Sequence, residues 1–167
     1  MELYIYEDYK EVLPGIDGRA LTDMLIIKSL EESGISADKV LRTDKGKPYV
    51  SVQNFDEDIY ISVSHSGRYF VCVVSRVPVG VDIQQQRKVK ADNISRRYFT
   101  SDEIRYIDKT GEDGFFFIWT RKEAYCKYTG RGLEEIIKGT QVIGRKDVEF
   151  IDFQLEKGMY CSCCMMI

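Results

Sequence analysis

Two acids in this chain stand among apolar residues, and each needs something to hold it there. In the run VPVGVDIQ, Asp82 is set into a hydrophobic segment. Stripping water from a carboxylate is strongly unfavourable unless a cation or a set of donors replaces the hydration. Read with a strand's period of two, Val79, Val81 and Ile83 share one face, and Gly80, Asp82 and Gln84 share the other. The polar face therefore begins with a residue that has no side chain, which predicts room for a ligand beside the acid. In FFFIWTRKEAYCKYTGRGL, Trp119, Glu123 and Lys127 recur at steps of four and lie on one helix face. A Glu and a Lys one turn apart also describe an exposed ion pair worth about 0.3–0.5 kcal/mol. The entry through Phe115, Phe116, Phe117 and Ile118 predicts a largely buried helix instead, so Glu123 needs a partner as Asp82 does. Two carboxylates that need a cation, with the amide of Gln84 nearby, suit a hard ion with oxygen ligands such as magnesium.

The elements that must position these residues are readable in outline. LYIYE reads as a strand ended by Pro14 and Gly15, and an amphipathic helix follows over roughly 17–32, with Leu21, Met24, Leu25 and Lys28 as its repeating positions. DKGKPYV is a basic turn. DIYISVS, a turn at HSG and YFVCVVS form a hairpin, and VPVGVDIQ is a third strand. Helices are expected near 92–97, 101–108 and 113–128, and strands near 147–155 and 159–166. Each half thus runs strand, helical region, then strands. This predicts an α+β fold of two similar α/β subdomains related by a pseudo-two-fold axis, residues 1–77 and 78–167, within a single domain over 1–167.

Composition limits the alternatives. A chain of 167 residues with 44% hydrophobic content can bury about 70% of its unfolded surface. A net charge of −3 argues against general nucleic-acid affinity, and no apolar run is long enough to cross a membrane. The opening MELYIYEDYKEV has no signal-peptide pattern, and a cytoplasmic protein is expected. Cys72, Cys126, Cys161, Cys163 and Cys164 lack framework spacing and read as reduced thiols. The tail YCSCCMMI lacks a second CxxC and the chain has one histidine, so a buried terminal strand is favoured over a thiolate metal site.

Val-Gly-Val-Asp at 79–82 followed by Trp-Thr-Arg-Lys-Glu-Ala-Tyr-Cys-Lys at 119–127 resembles the signature of the 4′-phosphopantetheinyl transferases. GKP at 46–48, SVSHSGRYFVCVV at 62–74 and RRYFTSDE at 96–103 resemble segments of the surfactin-type branch in the same order, over roughly residues 19–133. The resemblance implies transfer of phosphopantetheine from coenzyme A to a serine of an apo acyl, peptidyl or polyketide carrier protein, releasing adenosine 3′,5′-bisphosphate. Asp82 and Glu123 would hold magnesium across the coenzyme A diphosphate. Gln84 stands where the branch commonly has a third acid.

His65 and Ser64, in SHSG, resemble the coenzyme-binding segment whose histidine meets the 3′-phosphate. Lys45, Lys47 and Arg19 would lie near the same phosphate, and Lys127 would touch a phosphate or assist the leaving group. Glu103 resembles a family glutamate proposed as general base. Glu123 and a water on the metal are alternatives for that role, and a solvent-facing glutamate in the first turn of a helix is the alternative for Glu103 itself. The branch's longer members carry an Arg- and Lys-rich segment before the first helix that is largely missing here. Having both motif halves in one chain predicts a monomer. Arg87, Lys88, Lys90, Arg96 and Arg97, with Arg76 upstream, are expected to meet an acidic carrier. Two rival readings are a homologue that binds coenzyme A or a carrier with little transfer, and an interaction domain whose acids form ordinary ion pairs.

Overall fold

The run YFVCVVS around Val73 is apolar at nearly every position and builds a strand buried on both faces, and the rest of the fold is arranged around it. A computed structural model describes residues 1–51, 58–132 and 134–167. In chain order the elements are β1 (Glu2–Glu7), α1 (Tyr9–Val12), α2 (Gly18–Glu32), β2 (Val40–Arg42), β3 (Pro48–Val50), β4 (Tyr60–Ser66), β5 (Tyr69–Ser75), β6 (Val79–Gln85), α3 (Ala91–Tyr98), α4 (Ser101–Thr110), α5 (Glu112–Thr129), α6 (Glu134–Ile137), β7 (Val148–Glu156) and β8 (Met159–Met166). The fold is mixed α+β, with three small antiparallel sheets ordered β1-β5-β4, β2-β3 and β6-β8-β7.

One face of β5 gives Phe70, Cys72 and Val74 to a core with Leu21, Leu25, Ile26 and Leu30 of α2. The other gives Tyr69, Val71 and Val73 to a core with Val79, Val81 and Ile83 of β6 and Met159, Cys161 and Cys163 of β8. The period of two thus fastens a helix on one side and the second sheet on the other. The buried side of α2 is not the predicted stripe. Met24 is 42% exposed and Lys28 is exposed, while Ile26 and Leu30 are fully buried. Stepping from Leu21 to Leu25 and from Ile26 to Leu30 turns the apolar face away from Met24.

Three serines of β4 join the two sheets. Val81 N–H donates to Ser62 Oγ at 2.9 Å, Gln85 N–H donates to Ser66 Oγ at 2.9 Å, and Ser64 Oγ donates to Asp82 Oδ1 at 2.7 Å. The first and second of these contacts advance together along both strands, so β4 and β6 run side by side in the same direction. The β4–β5 hairpin turns at Gly67 and Arg68, which leaves His65 on the strand, opposite Phe70. Cys161, Cys163 and Cys164 are buried within β8, and burial raises their thiol pKa values, to about 12 for Cys163 and Cys164. Among the described residues no helix is long and apolar enough to cross a membrane.

Candidate active site

Asp82 is placed by the close approach of β6 to α5. A Cβ on Gly80 would come within 2.0 Å of the Ala124 carbonyl oxygen and 2.4 Å of the Tyr128 nitrogen. The missing side chain therefore admits helix backbone, not a ligand, which corrects the expectation drawn from the alternation. Its effect is to bring the polar face of β6 against the face of α5 that carries Glu123 and Lys127.

Around Asp82 the donors are unevenly shared. Oδ1 accepts from Ser64 Oγ at 2.7 Å and from Lys127 Nζ at 2.8 Å. Oδ2 is buried and has no hydrogen-bond partner among the described residues. A buried carboxylate oxygen without a donor costs about 1–3 kcal/mol or more. Glu123 adds a second acid. Burial raises its pKa first, the Asp82 charge raises it further, and Lys127 opposes both. Two acids therefore share one lysine. An oxygen-preferring divalent cation fits this donor set because it would meet the unpartnered Oδ2 and lower the repulsion between the acids. Gln84 is half-buried on the same strand face, and its amide nitrogen lies 3.5 Å from the Gln85 carbonyl oxygen.

The predicted phosphate-binding residues occupy two clefts. The first, about 260 Å³, is lined by Lys45, Lys47, Val63, Glu123, Lys127 and Gly132 among others. The β2–β3 turn is fastened there to the end of α5. Lys47 Nζ donates to the Lys127 carbonyl at 2.6 Å and Lys45 Nζ to the Arg131 carbonyl at 3.2 Å, where carbonyls at a helix C-terminus attract cations. Burial lowers the Lys47 pKa. The second cleft, about 580 Å³, is lined by Tyr9, Lys10, Asp17, Arg19, Arg42 and His65 among others. Burial, then Lys127 and Lys10, hold the His65 pKa below its ordinary value, while Asp82 pulls it up. Ser64 and His65, adjacent on β4, thus serve different places. Ser64 orients Asp82, and His65 faces the second cleft.

Glu103 is in neither cleft. It occupies the first turn of α4 as expected, but it is fully buried, with 0% exposure, and not solvent-facing. Its Oε2 accepts from the Thr100 N–H at 2.9 Å and from Lys122 Nζ at 2.8 Å, and its Oε1 accepts from the Val142 N–H at 2.7 Å. In return the Glu103 N–H donates to Thr100 Oγ1 at 3.4 Å, completing a capping box. Lys122 Nζ also donates to the Thr140 carbonyl at 2.5 Å. The pattern T-x-x-E in FTSDE was the available signal for this arrangement. A second network went unread in the sequence: Arg121 donates to both oxygens of Asp152, Ser162 Oγ donates to Asp152 Oδ1 at 2.8 Å, and the guanidinium lies over the rings of Phe117 and Phe150 at 4.4 and 4.8 Å.

Residues 78–161, half of the chain, match the model of the 4′-phosphopantetheinyl transferase superfamily. That stretch carries Asp82, Glu123 and Lys127. The chain is 27% identical over 179 aligned residues to 4′-phosphopantetheinyl transferase gsp of Aneurinibacillus migulanus, covering 96% of this chain and 72% of that protein. It is 35% identical over 92 residues to a 4′-phosphopantetheinyl transferase of Bacillus subtilis, covering 53% of this chain and 39% of that one. To 4′-phosphopantetheinyl transferase Sfp of Bacillus subtilis (strain 168) it is 32% identical over 80 residues, covering 46% and 35% respectively. The matches to these two Bacillus proteins thus span less than half of their lengths. A superfamily match over half the chain, running from the start of β6 through α5 into β8, shows that this chain belongs to the 4′-phosphopantetheinyl transferase superfamily.

Proposed function

We propose that the protein transfers the 4′-phosphopantetheine group of coenzyme A to a serine hydroxyl of an apo carrier protein and releases adenosine 3′,5′-bisphosphate. The observation that carries this reading is the unpartnered, buried Oδ2 of Asp82 beside Glu123, on an element pair that the superfamily model covers. In the reaction the serine oxygen forms a bond to the phosphorus that bears pantetheine. The bond from that phosphorus to the bridging oxygen breaks, and the electron pair leaves with the adenosine bisphosphate.

Asp82 and Glu123 would hold magnesium, with Gln84 as a neutral donor acting directly or through water. Magnesium, when bound, would offset the charge on the diphosphate. Ser64 keeps Asp82 turned toward α5. Lys127, which gives one hydrogen to Asp82, has others to offer a phosphate oxygen or the leaving group. Lys45 and Lys47 flank the cleft that Glu123 and Lys127 line, and Arg19 and His65 take the phosphate farther along the donor. We assign the serine proton to Glu123, the carboxylate among the residues lining the first cleft. Glu103 would have to give up Lys122 and two backbone donors to serve instead.

The carrier is proposed to approach over Arg87, Lys88, Lys90, Arg96 and Arg97, all exposed and directly following β6. We read the chain as a single-domain monomer. Its halves, 1–77 and 78–167, each set a sheet against a helix, and a pseudo-two-fold relation between them fits that repetition.

Incubation with coenzyme A, magnesium and a panel of apo acyl and peptidyl carriers, followed by intact-mass measurement, tests the reading. At least one carrier should gain the mass of a phosphopantetheine group, and only when magnesium is present. A folded protein that neither binds coenzyme A nor modifies any carrier in the panel would overturn it.

A further inference from the structure

We infer that Asp152 keeps one oxygen of Asp82 free for the cation by drawing the hydroxyl hydrogen of Ser162 away from it, which makes Asp152 a positioning residue for the metal; this rests on the magnesium reading above. Asp82 of β6 and Asp152 of β7 both pair with Ser162 of the central strand β8. Side chains at paired positions stand on one face of a sheet, with Cβ atoms about 4.5–5.5 Å apart. The opposite face carries Val81, Ile83, Cys161 and Cys163 into the core shared with β5. A row of acid, hydroxyl and acid therefore crosses the sheet on the side of α5. That helix closes the row at both ends: Lys127 Nζ donates to Asp82, and Arg121 Nε donates to both oxygens of Asp152.

Ser162 has one hydrogen to give and a carboxylate on either side. It gives that hydrogen to Asp152 Oδ1 at 2.8 Å, while Asp82 Oδ2 has no partner among the described residues. Ser162 is 1% exposed and Asp82 5% exposed, so the sheet and α5 decide the choice and not solvent. Arg121 tips it. Its guanidinium lies over the rings of Phe117 and Phe150 and bonds both oxygens of Asp152, which fixes that carboxylate with Oδ1 within reach of Ser162. Ser64 and Lys127 both donate to Asp82 Oδ1 and leave Oδ2 bare. Were Ser162 to turn to Asp82, the buried Oδ2 would gain a donor that an incoming cation must displace.

Calorimetric titration of the full chain with magnesium chloride tests this in wild type, Asp152→Asn, Ser162→Ala and the double variant. In Asp152→Asn the remaining oxygen stays with Arg121 and the amide donates to Ser162 Oγ, which turns the serine hydrogen toward Asp82. Magnesium should then bind about tenfold more weakly, the cost of displacing one hydrogen bond to a charged group. Ser162→Ala should bind as wild type does, and the double variant should recover that affinity, because no hydroxyl is left to compete. Asp152→Ala, alone and with Ser162→Ala, should repeat the pattern and guards against an amide that disturbs Arg121. A loss that persists in the double variants would mean that the charge of Asp152 acts through space. A loss in Ser162→Ala would make the hydroxyl itself a ligand, and wild-type affinity in both Asp152 variants would mean that Ser162 does not turn. Any of the three overturns the role of Asp152 while the magnesium reading stands. Failure of wild type to take up magnesium would remove that reading and the inference together.

Discussion

Helix α5 carries two lysines, Lys122 and Lys127, that each close on an acid from elsewhere in the fold, and the two pairs end in opposite states. Lys122 meets Glu103 at 2.8 Å with both side chains sealed from solvent, and each Glu103 oxygen has a donor. Lys127 meets Asp82 at the same 2.8 Å, yet one carboxylate oxygen has no partner among the described residues and Glu123 crowds the pair. The ingredients are the same. On the proposed reading, burial is therefore not what distinguishes a working acid from a structural one. The distinction is hydrogen-bonding and charge capacity left unspent.

The largest expected effect lies at the satisfied pair. Glu103→Gln or Lys122→Met leaves one buried partner uncompensated and should lower stability by about 3–5 kcal/mol, read as a shift in the urea midpoint. Glu103→Leu with Lys122→Met should recover much of that loss. Unchanged midpoints in the single variants would erase the contrast.

At the unsatisfied pair the order of effects reverses. Asp82→Asn and Glu123→Gln should each lower transfer on the order of a hundredfold or more, because each removes charge that holds a cation at the reacting phosphate. Their unfolding midpoints should change little, since neither acid is fully compensated in the fold. Near-normal transfer by either variant at limiting magnesium would end its role as ligand.

Much of this contrast was hidden in the sequence, for reasons that particular residues make plain. The β4–β5 hairpin and the strands β6, β7 and β8 were legible because a buried strand needs its alternation kept on both faces. Asp82, Glu123 and Lys127 were legible because a charge among apolar residues signals an unmet demand. Gly80 was misread, since only the third dimension shows that α5 backbone fills its empty side. Glu103 was read as a general base or a solvent-facing glutamate, and its burial went unseen because its three donors come from a helix cap, from α5 and from Val142, which sequence spacing does not bring together. For the same reason Lys45 and Lys47 were grouped with Arg19 and His65, although the fold sends them to separate clefts. Helix α1 was missed altogether: a four-residue helix is too short to show a period, and the left-handed turn that starts it is made by Asp8 with no glycine to mark it.

A smaller effect separates the two clefts by pH. The fold resists the imidazolium of His65, so its contribution to stability is intact above the ordinary histidine pKa and falls away as pH drops through that range. A bound phosphate reverses the local field. Coenzyme A binding should then take up a proton and tighten a few-fold between about pH 7.5 and 6.5, and dephospho-coenzyme A should not follow. Titration of wild type and His65→Gln at both pH values checks this. The same tightening in His65→Gln would place the proton elsewhere.

Smallest is the change at Gln84. Gln84→Glu adds a carboxylate two residues beyond Asp82 on the same strand face and should tighten magnesium a few-fold, without requiring faster transfer. An unchanged or weaker apparent magnesium affinity, from activity titrated against the ion, would take Gln84 away from the cation.

On the proposed reading, spare capacity at Asp82 and Glu123, and not at Glu103, receives a cation. Thermal unfolding with and without millimolar magnesium tests it most directly, in wild type, Asp82→Asn and Glu103→Gln. Magnesium should raise the midpoint of wild type and, from its lower starting value, that of Glu103→Gln, and it should leave Asp82→Asn unmoved. A magnesium shift that survives in Asp82→Asn and disappears in Glu103→Gln would place the cation at Glu103 instead.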